Sequence, residues 1–189
     1  MKPEDVMKSI EEEAPQRGLP IIGPKRGVFL DEVVRDHAPS TILEVGTLVG
    51  YSAIRMGRHL KAGEKITCLE LREDMARVAR SNFEKAGLSD RIDVLVGDAK
   101  DLISTLKGPF DLVFLDAAKD EYIVYLRSCE RLLHRGSVVV ADNVKSHAPE
   151  VAEYLEYVRN SGKYRSEYKE APPNYGSGAG DAVEVSVRL

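Results

Sequence analysis

Phe110-Asp111-Leu112-Val113-Phe114-Leu115-Asp116-Ala117-Ala118-Lys119 and Val138-Val139-Val140-Ala141-Asp142-Asn143 are two apolar runs that each end abruptly in a carboxylate. Strands this apolar are buried on both faces, as in a parallel sheet. A charged residue just past such a strand sits at the carboxyl edge of the sheet, where open α/β folds place their ligands. Asp116, Asp142 and Asn143 thereby offer three hard oxygen donors, and Lys119 lies three residues beyond the first of them. The combination points to a divalent ion and a titratable amine beside a substrate.

Outward from these runs the chain alternates. Strands are expected at 41–46, 65–70, 91–96, 110–115 and 136–141, with helices at about 51–61, 73–86, 99–106 and 119–133. This rhythm predicts an α/β fold, a parallel sheet covered on both faces with right-handed crossovers. Before it, residues 4–14 have helical spacing of Val6, Met7 and Ile10. A loop or arm punctuated by Pro15, Gly18, Pro20, Gly23, Pro24 and Gly27 follows, then a helix from Val28 to His37 that Pro39 closes. After the alternation come a helix at about 148–160 and two late strands, Tyr164–Lys169 and Val183–Leu189. The loop from Pro172 to Gly180 joins them, and together they suggest an antiparallel addition at one sheet edge. The expected organisation is an N-terminal helix and arm over 1–27 and one domain over 28–189.

At 189 residues the chain is long enough for one full core. A hydrophobic fraction of 43%, 31% charged residues and a net charge of −4 with no block of one sign disfavour a broad nucleic-acid-binding face. Cys68 and Cys129 form no CxxC pair, so a zinc site or disulfide framework is disfavoured. Glu4 and Asp5 stand where a signal peptide would be basic, and no apolar stretch is long enough to span a bilayer. A reducing cytoplasm and no membrane partner are the expectation.

The first strand of the alternation runs into Glu44-Val45-Gly46-Thr47-Leu48-Val49-Gly50-Tyr51-Ser52. A glycine turn before a helix start lets a ligand approach the backbone closely. The pattern is E-x-G-x-x-x-G rather than the GxGxxG that grips a dinucleotide pyrophosphate. With Glu44 nearby it suits a zwitterionic amino-acid tail. Glu70, ending the second strand, can accept both hydroxyls of a ribose. Asp98, after the third, can reach an adenine amino group, and Ala99 leaves space for the base. Together these describe a pocket for S-adenosylmethionine. Plainer readings stand beside each: Glu70 as an acid favouring a helix N-terminus, Asp98 as an N-cap, Asp142-Asn143 as a turn and Lys119 as a surface lysine. His37, His59 and His134 read as helix-surface residues, His147 as a solvated loop residue, Tyr122 and Tyr125 as packing residues, and Lys25-Arg26 as a solvated pair.

With these residues in place, the sequence resembles the cation-dependent, catechol-type O-methyltransferases of the class I S-adenosylmethionine fold. The resemblance runs from about Gly23 to Asn143, and more loosely to the C-terminus. It rests on Lys25-Arg26-Gly27, Ile42-Leu43-Glu44-Val45-Gly46, Gly50-Tyr51-Ser52-Ala53, Val113-Phe114-Leu115-Asp116, Lys119-Asp120 and Ala141-Asp142-Asn143. It implies a Rossmann-like, seven-stranded, mostly parallel sheet of order 3-2-1-4-5-7-6 with the last strand antiparallel. It also implies Mg2+ at Asp116, Asp142 and Asn143, Lys119 as general base, and Asp116 beside both cofactor and acceptor. The cofactor-binding set becomes Ile22 (through its backbone), Glu44, Gly46, Tyr51, Ser52, Glu70, Leu71, Asp98, Ala99 and Asp116. The implied acceptor is a small hydroxylated aromatic, and the implied assembly a monomer or homodimer.

The chain departs from the family's ring gate. Gly18-Leu19-Pro20-Ile21 holds no aromatic, Ala117-Ala118 replaces the aromatic after the first metal-binding Asp, Lys145-Ser146-His147 lacks a proline, and Asn174–Ser177 contains no acid. Two other readings remain: a tRNA hydroxyuridine O-methyltransferase of the same family, and a donor-binding protein without catalysis. The glycine spacing disfavours an NAD-dependent dehydrogenase.

Overall fold

The computed structural model describes residues 1–176 and 178–189; Ser177, within the expected Pro172–Gly180 loop, lies outside the described residues. One seven-stranded sheet has the order β3-β2-β1-β4-β5-β7-β6, as the resemblance implied. Its strands are β1 (Thr41–Val45), β2 (Lys65–Glu70), β3 (Ile92–Val96), β4 (Phe110–Leu115), β5 (Leu133–Ala141), β6 (Tyr164–Ala171) and β7 (Asp181–Arg188). The first five pair in parallel, and β7 runs antiparallel between β5 and β6.

Strand alternation divides the core into two layers. Ile42, Ile66, Cys68, Leu112, Phe114, Val138 and Val140 point to one side. There they meet α1 (Pro3–Arg17), α2 (Gly23–His37), α3 (Tyr51–Gly57) and α4 (Glu73–Lys85). Leu43, Val45, Val113, Leu115, Val139 and Ala141 point to the other, against α5 (Ala99–Thr105), α6 (Tyr122–Cys129) and α7 (Ala152–Asn160). This two-sided burial is the reason the central strands read as continuous apolar runs. Both cysteines are free and buried, and no helix of the described residues is long and apolar enough to cross a membrane.

Three expectations are corrected. Helix α1 does not stop before Pro15 but continues to Arg17. A proline cannot donate to the carbonyl four residues back; that carbonyl, of Glu11, instead accepts from the Tyr175 hydroxyl at 3.2 Å. The segment Gly23–Gly27 is helix rather than arm, because Pro24 occupies the first turn, where its fixed φ suits the helix and its missing N–H costs nothing. The expected helix 119–133 is divided: a 3-10 turn at Lys119–Glu121, α6, a second 3-10 turn at Glu130–Leu132, and then β5. His134 therefore stands on a strand, 2.9 Å from Asp111, and His59 lies just past α3, 2.8 Å from the buried Asp31.

Candidate active site

The parallel ladder carries three strand tips to one edge. Backbone hydrogen bonds run from Gly46 N to Leu69 O, from Asp116 N to Val45 O and from Asp142 N to Leu115 O. Each tip is thus registered on its neighbour. Gly46 has φ +89°, and a β-carbon there would overlap the Asp116 carbonyl. Only glycine lets the first and fourth strand tips close on each other.

Above these tips lies a cavity of about 520 Å³, a size suited to a small-molecule ligand. Its wall includes Ile22, Gly46, Tyr51, Ser52, Glu70, Leu71, Asp98, Ala99, Asp116, Lys119 and Asn143, all expected from sequence. Sheet order arranges them, with Asp98 beyond β3, Glu70 ending β2, Gly46 just past β1, and Asp116 and Asn143 beyond β4 and β5. Glu44 and Asp142, also expected, are not on the wall but directly behind it, 0% and 1% exposed.

Glu44 is a buried carboxyl group in a hydroxyl box. Ser52 Oγ and Thr47 Oγ1 donate to it at 2.5 and 2.7 Å. Burial pushes its pKa up to about 7 against the pull of those two bonds. Glu70 accepts from the backbone N–H groups of Thr47, Leu48 and Arg72, which fixes the glycine turn and leaves one lone-pair site, on Oε1. Asp98 caps α5, accepting from Lys100 N at 2.9 Å, and also lines the cavity. The Ile22 carbonyl is tied to the far loop by Asn174 Nδ2 at 2.7 Å.

At the β4–β5 side, Lys119 Nζ donates to Asp116 Oδ1 at 2.6 Å and to the Tyr122 hydroxyl at 2.9 Å. The Tyr122 hydroxyl in turn donates to the Asp142 carbonyl at 3.1 Å. Lys119 is therefore held over the carboxylate rather than free on the surface. Asp142 is gripped by Arg26, Nε to Oδ1 at 2.7 Å and Nη2 to Oδ2 at 3.1 Å. Burial, then the nearby Asp116 carboxylate, raise the Asp142 pKa, and Arg26 opposes them by stabilising the anion. Arg26 is 8% exposed, so the solvated-pair reading of Lys25-Arg26 is corrected for this member. Among the described residues no three His, Cys, Asp or Glu side chains cluster as a metal cage; the strand tips bring two carboxylates and one amide.

The O-methyltransferase family model matches residues 3–160. The chain belongs to this family. It is 40% identical over 175 residues to catechol O-methyltransferase B of Danio rerio, covering 89% of this chain and 65% of that protein. It is 39% identical over 151 residues to catechol O-methyltransferase of Sus scrofa, covering 76% and 80%. The zebrafish and mouse relatives are longer, and the chain spans 65% and 63% of their lengths. Among solved structures, the O-methyltransferase from Bacillus cereus in complex with SAH superposes with a TM-score of 0.87 at 27% identity, covering 98% of this chain and 91% of that one.

Within this family fold, sequence reasoning missed several wall residues. Pro20, Ile21, Thr47, Leu48, Arg72, Glu121 and Tyr125 all line the cavity, and so does His147, whose side chain is also 43% exposed, as expected of a loop histidine. It also missed Asp181. The signal for Asp181 was present: an antiparallel strand beside β5 begins where β5 ends, so an acid opening β7 must lie at the ligand edge.

Proposed function

We propose that the chain transfers the methyl group of S-adenosylmethionine to a hydroxyl of a small catechol-like, polyphenolic acceptor, with a divalent cation such as Mg2+ held by Asp116, Asp142 and Asn143 and with Lys119 as general base. One observation carries this reading: a single cavity joins the adenosine-type and amino-acid-type positions at β3–β1 to Asp116, Lys119 and Asn143 at β4–β5. The relatives named as catechol O-methyltransferases support the acceptor class, and the SAH complex of the Bacillus cereus neighbour supports the donor.

The donor set fits a hard cation. The Asp116 carboxylate works against ionisation of Asp142, a repulsion that a cation between them would relieve. Arg26 takes one lone pair on each Asp142 oxygen. When bound, such an ion would act as a Lewis acid that lowers the pKa of an acceptor hydroxyl.

The chain's own residues would do the rest. Glu44, through the Ser52–Thr47 box, orients the donor's ammonium end, and Glu70 its ribose. Asp116 faces both donor and acceptor. As the acceptor oxygen forms its bond to the methyl carbon, the carbon–sulfur bond breaks and S-adenosylhomocysteine leaves. The hydroxyl proton passes to Lys119 Nζ as the free amine. In-line placement of oxygen and methyl is the larger contribution expected from so buried a frame.

The test is transfer of labelled methyl to a polyphenol panel, with bulk tRNA as a competing acceptor. Product on phenols, lost with chelator and restored by Mg2+, is expected. Turnover indifferent to chelator removes the metal from the scheme. Tight S-adenosylhomocysteine binding with no product on any acceptor removes the transfer.

A further inference from the structure

Asp181, the first residue of β7, is a hub at 7% exposure. Its Oδ2 accepts from Asn143 Nδ2 at 2.8 Å and from Ser146 Oγ at 2.6 Å. Its Oδ1 accepts from the backbone N–H groups of Ser146 at 3.0 Å, Lys145 at 3.3 Å and Ala182 at 2.8 Å. Arg26 Nη1 is 3.8 Å away, on the face of the guanidinium not used by Asp142. These bonds bind the turn after β5 to the start of β7. Asn143 itself has φ +60°, a left-handed conformation that asparagine tolerates but does not prefer over extended backbone.

An asparagine amide has one donor end and one acceptor end, and rotating it by half a turn exchanges them. Against a carboxylate only the nitrogen end is tolerated; the oxygen end would set two acceptors face to face. Asp181 therefore selects which end of Asn143 points away from β7. The Asn143 oxygen makes no hydrogen bond to the described residues, and the side chain borders the cavity.

We infer that Asp181 is a positioning residue for Asn143, holding the amide nitrogen so that the amide oxygen is presented to the cavity. The use of that oxygen rests on the function proposed above; the orientation does not. Ser146 and the Lys145 backbone, bonded to the same carboxylate, keep the Asn143–His147 turn in the one conformation that allows it.

The test uses the full chain with Asp181→Ala and the near-isosteric Asp181→Asn, which retains the volume if the alanine variant does not fold. In 15N-labelled protein without ligands, the Asn143 side-chain amide pair, assigned by its loss in Asn143→Ala, is expected to shift and to exchange with solvent faster in the variants. Calorimetry with S-adenosylhomocysteine is expected to stay within about twofold of wild type, whereas Mn2+ affinity, read by paramagnetic resonance, falls on the order of tenfold or more, as for other partners that orient a ligand from behind. An Asn143 amide pair unmoved in position and exchange overturns the inference, and so does equal loss of S-adenosylhomocysteine and Mn2+ binding, which marks general collapse. A wild-type protein that binds no Mn2+ while the amide pair responds supports the positioning and strikes out only the metal in the proposed function.

Discussion

Glu44 is a fully buried carboxyl group, and ionising it there has a measurable cost. The folded state holds its proton up to about pH 7, against 4.5 for an ordinary glutamate. Below 4.5 both states are protonated and nothing is lost. Between 4.5 and about 7 the unfolded chain releases the proton first, so stability falls by up to about 1.4 kcal/mol per pH unit over that window. Glu44→Gln should abolish this slope. Urea unfolding at pH 5 and pH 8 is expected to show the variant gaining on wild type by about 1–3 kcal/mol at the higher pH, while S-adenosylhomocysteine affinity drops. Parallel unfolding curves at the two pH values would defeat this account. Lys119→Met should lower kcat by about 100-fold or more if the amine takes the hydroxyl proton, with donor affinity little changed because Lys119 touches Asp116 and Tyr122 rather than the Glu44 box. At this scale the sequence revealed the acids and the lysine because each interrupts an apolar run. It concealed Arg26, whose partner Asp142 is distant in sequence, so its neighbours gave no hint of burial.

Among the elements, the glycine turn after β1 has the least freedom. Gly46→Ala places a β-carbon against the Asp116 carbonyl at a backbone φ of +89°. A loss of about 2 kcal/mol or more is expected from strain and overlap together, read as a lower midpoint of thermal unfolding. Donor-product binding should be lost in the same variant, because the displaced atom is the backbone of the cavity floor. Strands β1 and β4 and the buried end of β5 were legible because burial on both faces leaves few polar positions, whereas the exposed start of β5 at His134–Gly136 carries no such run. The last turn of α1 was not: Pro15 signals a stop in any local reading, and the Tyr175 hydroxyl that satisfies the stranded Glu11 carbonyl comes from the other end of the chain. The start of α2 was misread for a related reason, since Gly23 and Pro24 serve equally as loop punctuation and as a helix's first turn.

For the whole molecule, the ligand edge is held by segments that never meet in sequence: Arg26 from α2, Asp142 from the β5 tip and Asp181 from β7. Asp142→Ala would strip the partner from a buried guanidinium, so a destabilisation of roughly 3–5 kcal/mol is expected in addition to any loss of metal. Asp142→Asn is the cleaner probe, with a smaller loss on the same urea titration and the same loss of chelator-sensitive turnover. The strand order was readable from the resemblance, but the mutual support of these segments required coordinates. Because β7 enters between β5 and β6, the sheet cannot be finished in the order in which a ribosome delivers it. A nascent chain that has emerged as far as β6 has β5 with one bare rim and β6 with nothing to pair against. Every copy must pass through that stage during synthesis, and a chaperone that shields the rim of β5 would be most useful in the short interval before residues 181–188 arrive.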